Sequence, residues 1–526
     1  MVVAAVGLVR LSVYGYNGWR RSRLAKMATT TAAPVIPWDN PPAPRTPPKT
    51  PLPGRPFSEM GVVYRTSTPS AESLRAAVAD TNVVICVLDA ARADRFGAYG
   101  YPRPTTPNFD RLAQRALLFD QHFCVASHTG PSTISLLTSQ HPDTHGLLTN
   151  YSSDGTDFRS PSPSTFTLER ALQGIGYHTF MFSGNVAASP ELGIGGDFMF
   201  VGDSGRGGAN LSGHPIAFMT ESFAEVPAKL KDKTDRRFFA YLHVLPPHEP
   251  YRAPKPIADL FAKTRPPLYW EGKSEFPEAR ADRVHTQEPD SWVSWGNDYD
   301  ANLRYADTFL AELEKALKQM GAWERTLLIV TADHGEALRE HGYTFHAGVP
   351  YDEALHIPLL IRFPGPDPPV GRVKALTQTI DLLPTLLELY GAPYPRDQVQ
   401  GKSLLPLLTG RVKGVNDYLF ARATDRRTAC YIIRDARSTL LLYRGGKRRA
   451  LYDMDADPYQ THNLNSEQRA RAEKLVKAFE EFARKQRLKP LDFVDPNFVP
   501  PTATDLPTQK MSEETKRKLK SLGYLK

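Results

Sequence analysis

Two acidic positions in this chain stand directly after apolar, β-branched runs. Asp89 follows Asn82–Leu88, and Asp333-His334-Gly335-Glu336 follows Thr326–Thr331. Such runs read as buried strands, and the exits of strands in open α/β sheets are where ligands gather. Two exits would then present carboxylate oxygens and an imidazole nitrogen to one crevice, a donor set suited to a divalent cation. An aspartate after a strand is by itself more often a cap for the next turn, so neither position alone specifies a site.

The elements that must position these residues follow from the pattern of the chain. Strand candidates at Asn82–Leu88, His178–Ser183, Phe238–Val244 and Thr326–Thr331 alternate with helix candidates near Phe109–Leu118 and after Thr129. A further helix is expected over Tyr299–Met320, where Leu303, Ala306, Leu310, Leu313, Leu317 and Met320 recur at helical steps before Gly321. The alternation predicts an α/β fold, a mostly parallel sheet flanked by helices. Beyond about residue 410 the runs shorten to Tyr418–Ala421, Cys430–Arg434, Thr439–Tyr443 and Ala450–Tyr452, with 444–447 as a hairpin turn and a helix from about Ser466 to Arg487. The expected organisation is an anchor or degraded signal at 1–33, a proline-dense linker at 34–79, a catalytic domain at 80–410, a small α+β subdomain at 411–490 and a tail at 491–526. Folding is expected to begin near residue 80.

At 526 residues, with 41% hydrophobic and 23% charged residues, the chain is long enough for a large core and has the composition of a water-folded protein. Its net charge of +8 is concentrated in residues 1–80, which hold ten Lys/Arg against four Asp/Glu. That placement suits a basic leader or juxtamembrane segment, and no nucleic-acid partner is expected. Val2–Trp19 is partly apolar but carries Arg10 and Asn17, so it falls short of the roughly 20 apolar residues of a membrane span. A degraded signal, a short anchor and a start at Met27 stay open. Membrane association through this N-terminus, in the cell envelope or periplasm, is preferred to a cytoplasmic location. Cys86, Cys124 and Cys430 have no CxxC spacing, which excludes a cysteine zinc site and a disulfide framework. The oligomeric state is not set by the sequence.

Several segments resemble the motifs of the sulfatase family, within the alkaline phosphatase superfamily. They are Asp89-Ala-Ala-Arg-Ala-Asp-Arg-Phe-Gly-Ala-Tyr-Gly100 running on to Ala113, Thr129-Gly-Pro-Ser-Thr-Ile-Ser-Leu-Leu-Thr138 through His145-Gly146, and His243-Val-Leu-Pro-Pro-His248-Glu-Pro-Tyr251. Thr331-Ala-Asp-His-Gly-Glu336 with Glu340-His-Gly342, Ile357–Arg362 and Leu451–Pro458 complete a set that spans roughly residues 80–465 in the family's order. The resemblance implies the family's fold and an ester hydrolase or transferase.

The departures from that family narrow the chemistry. Sulfatases carry Cys or Ser at the position of Thr129 and Arg at that of Thr133, the motif read by the enzyme that makes formylglycine. With both absent, no formylglycine is expected, because oxidising a threonine gives a ketone. An unmodified threonine can attack phosphorus once a metal and a helix start lower its hydroxyl pKa. Many sulfatases also pair two aspartates at positions 89–90 and have Asp-Asn at 333–334. Here Asp89-Ala90 and Asp333-His334 favour Zn²⁺ or Mn²⁺ over Ca²⁺.

The pattern is similar to phosphonate monoester hydrolases and to phosphoethanolamine and lipoteichoic acid transferases. It implies a metal held by Asp89, Thr129, Asp333 and His334, with His248 and His346 contacting the transferred group or protonating the leaving group. His243 and His341 are read as hydrogen-bonded loop histidines, and Arg92 and Asp94 as a pair that holds the loop after the strand. Gly193–Gly208 lacks a Gly-Lys-Ser/Thr ending and reads as a substrate-side loop. Tyr269, Trp270, Trp292 and Trp295 form either a substrate wall or a satellite core.

The expectation is therefore hydrolysis or transfer on phosphate esters through a covalent Thr129 intermediate, with a small-molecule, lipid or glycan ester as substrate. Sulfate-ester hydrolysis and a non-catalytic binding protein on the same fold are the competing readings.

Overall fold

The computed structural model describes residues 60–150, 157–202, 215–267 apart from 232, 234 and 235, 291–424, 429–486 apart from 444, 445 and 447, and 506–521. The expected anchor at 1–33, residues Tyr269 and Trp270, most of the 444–447 turn and part of the Gly193–Gly208 loop lie outside the described residues.

Nine strands make the central sheet: β1 (Val62–Tyr64), β2 (Asn82–Leu88), β3 (Leu117–Phe119), β4 (His178–Ser183), β5 (Phe200–Val201), β6 (Phe238–Val244), β7 (Thr326–Thr331), β8 (Leu359–Arg362) and β9 (Gly371–Val373). Their order across the sheet is β1-β9-β3-β8-β7-β2-β6-β4-β5. The run from β7 through β2, β6 and β4 to β5 is parallel throughout, while β8 runs antiparallel to both β7 and β3.

All seven residues of β2 are buried, because both faces of the sheet are covered and nothing in the strand needs to meet water. The two-residue period of the strand divides its side chains between two cores. Val84, Cys86 and Leu88 pack with Leu303, Ala306, Leu310, Leu313 and Leu317 of the helix Ser291–Gln319. Val83, Ile85 and Val87 face the opposite way, with Ile134, Leu136 and Leu137 of the helix Thr129–Thr138 and the leucines of Leu382–Tyr390.

Three expectations need correction. Folded structure begins before residue 80: Ser70 caps a helix over Ala71–Val78, and Val62–Tyr64 pairs with Gly371–Val373. That pairing needs a glycine, since a Cβ on Gly371 would lie 2.4 Å from the Val63 carbonyl oxygen. The helix expected to reach Leu118 covers only Pro107–Ala113, and Leu117–Phe119 forms a strand beside β8 and β9. The long helix starts at Ser291, eight residues before the expected start at Tyr299.

Four short antiparallel strands follow, β10 (Leu419–Thr424), β11 (Ala429–Arg434), β12 (Ser438–Tyr443) and β13 (Arg449–Asp453), in that spatial order. The helix Arg469–Lys485 buries Leu475, Val476, Phe479 and Phe482 against Tyr431, Ile433, Leu440 and Leu442 of this sheet. Among the described residues no helix is long and apolar enough to cross a membrane.

The end of the chain docks back on the main body. Thr508–Lys510 pairs with Asp157–Arg159, and Met511 and Leu519 join Phe158, Val186, Ala187, Leu192 and Leu245 in a small separate core. Lys518 Nζ adds an ion pair to Glu191 at 2.8 Å. Leu519→Asp places a charge in that core and is expected to free the tail. Hydrogen exchange would then show lost amide protection in Glu513–Ser521 with protection of the β2 amides unchanged.

Candidate active site

Four neighbouring parallel strands deliver polar residues to one edge of the sheet. Asp333 and His334 follow β7, Asp89 follows β2, His243 sits near the end of β6 with His248 beyond it, and Asn185 follows β4. Carboxyl ends of parallel strands converge in this way because their main chains diverge into loops on the same side of the sheet. Asp89, Thr129, His243, Asp333 and His334 are at most 1% exposed.

Each carboxylate has one oxygen anchored and one left open. Asp89 Oδ2 accepts from Asn185 Nδ2 at 2.5 Å and lies 3.0 Å from His243 Nε2. Asp333 Oδ1 accepts the backbone N–H groups of Ala90 at 3.2 Å and of His334 at 3.0 Å. Asp89 Oδ1 and Asp333 Oδ2 have no hydrogen-bond donor among the described residues. Burial works against charge on Asp89, but the imidazoles of His248, His243 and His334 hold its carboxyl below the ordinary range. Burial and the charge on Asp89 push Asp333 the other way.

The open oxygens face His334. Its Nδ1–H donates to the Gly335 carbonyl at 2.9 Å, so the Nε2 lone pair is directed 3.3 Å from Asp333 Oδ2 and 3.8 Å from Asp89 Oδ1. Thr129 is the first residue of its helix, and its Oγ1 lies 3.1 Å from the same nitrogen. The Ser132 hydroxyl donates to the Asp333 carbonyl at 2.5 Å, and the Gly130 N–H donates to Asn150 at 2.8 Å, which seat the helix start against the strand exits.

Two oxygens, an imidazole lone pair and a hydroxyl fit a divalent cation, and the buried open oxygens would carry uncompensated charge without one. Asp89, His243 and Asp333 likewise offer ligand atoms that all lie within 4.8 Å of one another.

His248 and His346 form a second group beside the first. Their Nε2 atoms are 3.1 Å apart, and the His346 ring stacks on His334 with centroids 4.1 Å apart. Burial opposes charge on both rings. The carboxylates of Asp89, Glu336 and Glu249 nevertheless lift His248 to about 9, whereas His334, His248 and His128 hold His346 well below its ordinary value. His248 is thus the protonated partner: its Nδ1–H donates to the Glu249 carbonyl at 2.5 Å and its Nε2–H to the neutral His346.

All six residues expected at the site, Asp89, Thr129, His248, Asp333, His334 and His346, come together here. His243 does not sit on a loop as expected but inside β6 and against Asp89. An ionisable residue within the otherwise apolar run Phe238–Val244 was the available signal. Asn185 and His128 were missed, and nothing in their local sequence distinguishes them. His341 is a packing residue, bonded to Glu353 at 3.0 Å and stacked on Tyr351 at 3.7 Å. Trp295 lies 5.4 Å from Phe345 and beneath the Arg339 guanidinium.

The loops are tied by a buried guanidinium. Arg92 bonds both oxygens of Asp94, Glu340 Oε1 at 2.8 Å and the Glu336 carbonyl at 3.0 Å, joining the loop after β2 to the loop after β7. Gly335 allows this closeness, because a Cβ there would meet the Glu353 carbonyl oxygen at 2.2 Å.

Residues 81–392 match the family described as Sulfatase, and residues 339–487 match that described as N-sulphoglucosamine sulphohydrolase, C-terminal. The chain is 25% identical over 444 residues to arylsulfatase A of Homo sapiens, covering 73% of this chain and 83% of that protein. It is also 25% identical over 406 residues to a multifunctional alkaline phosphatase superfamily protein of Trinickia caryophylli, covering 62% and 77%. Among solved structures, the phosphonate monoester hydrolase of Agrobacterium radiobacter superposes with a TM-score of 0.64 at 22% identity, covering 78% of this chain and 96% of that one.

Removing Arg92 would take the shared cation from Asp94 and Glu340, with Arg95 still 3.6 Å from Glu340. Arg92→Ala is expected to cost roughly 3 kcal/mol in denaturant unfolding, with Arg92→Lys recovering only part because it cannot serve three acceptors in a fork.

Proposed function

This chain belongs to the sulfatase family, and on that premise we propose that it is a metal-dependent ester hydrolase that reacts through an unmodified Thr129. The observation that carries this reading is the placement of Thr129 Oγ1 at the head of its helix, 3.1 Å from His334 Nε2. Phosphate esters are the substrate class, because threonine cannot supply the hydrated aldehyde that expels sulfate by elimination.

Asp89 Oδ1, Asp333 Oδ2, His334 Nε2 and Thr129 Oγ1 would hold the ion, with Zn²⁺ or Mn²⁺ suited to the mixed oxygen and nitrogen set. When bound, a divalent ion supplies Lewis acidity, which lowers the hydroxyl pKa and offsets charge on the ester oxygens. Thr129 gives up its hydroxyl proton to solvent, and its Oγ forms the bond to phosphorus as the bond to the leaving oxygen breaks. The helix N-terminus behind Thr129 directs its partial positive charge at the anionic group. His248, protonated near neutral pH, gives a proton to the departing oxygen, and its contact with His346 holds the ring in place. The oxygen of a water molecule then bonds to phosphorus as the Thr129 Oγ–phosphorus bond breaks: the now neutral His248 takes the proton of the attacking water, Thr129 Oγ regains one from solvent, and phosphate leaves.

A second reading, hydrolysis of sulfate esters, is favoured by the family description and by the name of arylsulfatase A. Aryl phosphate monoesters, aryl phosphodiesters and aryl sulfates assayed side by side with metal analysis decide between them. Preferential turnover of a phosphate ester is the expected result, and preferential sulfate turnover would replace the first reading with the second.

Thr129→Ala is expected to lower kcat/KM by at least about a thousandfold while leaving metal bound, since three donors remain, and Thr129→Ser is expected to keep measurable activity. Full activity in Thr129→Ala would remove Thr129 from the chemistry.

A further inference from the structure

Beneath the carboxylates, a line of polar groups crosses the otherwise apolar core between the sheet and the helix of Thr129. Tyr241 and His243 are two residues apart on β6 and therefore share a face, with both side chains fully buried. The Tyr241 hydroxyl lies 3.1 Å from His243 Nδ1, and His243 Nε2 lies 3.0 Å from Asp89 Oδ2. The Thr133 hydroxyl, one turn beyond Thr129 on the same helix, is buried and makes no hydrogen bond among the described residues.

Donor and acceptor accounting fixes the direction of the bond to Asp89. Asp89 Oδ2 can only accept, so His243 Nε2 carries a hydrogen. Tyr241 Oη and His243 Nδ1 share one further hydrogen, from the phenol in the neutral ring and from Nδ1–H in the charged one, and Nε2–H faces Asp89 in both. A nitrogen that carries this hydrogen has no lone pair for a metal ion. Asp89 Oδ1 and Asp333 Oδ2 receive no hydrogen bond among the described residues, and His334 Nε2 meets the Thr129 hydroxyl.

We propose that Tyr241 and His243 form a positioning relay that donates to Asp89, and that His243 is not a metal ligand. Together with Asn185, the relay clamps Asp89 Oδ2 from two sides and turns Oδ1 toward His334 and Thr129. Outer partners that orient a metal-binding carboxylate commonly change affinity ten- to a hundredfold when removed. The inference rests on the reading of the site as a metal site.

The test uses the full chain loaded with Zn²⁺. X-ray absorption of the wild-type protein is expected to show one imidazole on zinc, and two would overturn the relay by making His243 a ligand. Chelator competition is expected to show zinc held about tenfold more weakly in Tyr241→Phe and ten- to a hundredfold more weakly in His243→Ala. In the His243→Ala background, Tyr241→Phe should cause no further loss, because its effect passes through the ring. Unchanged affinity in Tyr241→Phe, or a full additive loss in the double variant, overturns the relay. His243→Gln, which keeps an N–H donor, should recover part of the affinity lost in His243→Ala. Wild-type protein that takes up no zinc or manganese overturns the metal reading itself, a result distinct from two imidazoles on a bound ion.

Discussion

Two buried carboxylates, Asp89 and Asp333, set the terms for the rest of the molecule. Each has one oxygen held by donors and one oxygen without any, and neither side chain reaches water. Charges buried this close repel each other, and they persist only where hydrogen bonds, imidazoles and a cation offset the cost. The parallel strands β7, β2, β6 and β4 solve the geometric half of that problem by ending side by side. Asn185, His243 and the N–H groups of Ala90 and His334 solve part of the electrostatic half.

The scaffold around the pair carries local strain as well as charge. Ala90, directly after Asp89, has φ of 61°, and the loop that returns His346 to the site holds Arg339, His341 and Phe345 at φ of 91°, 51° and 63°. Non-glycine residues in the left-handed region each cost of order 1 kcal/mol and last only where surrounding contacts hold them. Here those contacts are visible. His341 is gripped by Glu353 and Tyr351, and the Arg339 N–H donates to the Tyr343 carbonyl at 2.8 Å. The buried fork of Arg92 joins this loop to the one that carries Asp89. Positioning of His346 is therefore a property of three loops together.

His334 and His248 divide the electrostatic work. His334 directs a lone pair toward the open oxygens because its other nitrogen is committed to the Gly335 carbonyl, whereas His248 keeps both hydrogens because carboxylates surround it. Rings of the same residue type thus present opposite faces, one basic and one acidic, within a single cluster. This asymmetry is what an ester-cleaving site needs, since one side must stabilise a nucleophile and the other must release a proton.

Much of this was legible in the residues alone. The runs Asn82–Leu88, His178–Ser183, Phe238–Val244 and Thr326–Thr331 are strands at those bounds, because a sheet covered on both faces demands unbroken apolar segments and so announces its own ends. Asp89, Asp333 and His334 were visible for the same reason, as polar residues at those ends. The strand at Val62–Tyr64 was hidden, since three residues carry no period and their partner lies some 300 residues away in β9. Asn185 and His128 were hidden too, because nothing local marks a side chain whose partner is brought to it by a neighbouring element. The clearest case is His243. Its sequence shows only a histidine in an apolar strand, and only the tertiary structure places one ring nitrogen against Tyr241 and the other against Asp89. Residue types and their periods determine which strands form and where they end. Which atoms of a buried side chain remain free is decided by the neighbours on all sides, and those come from distant parts of the chain.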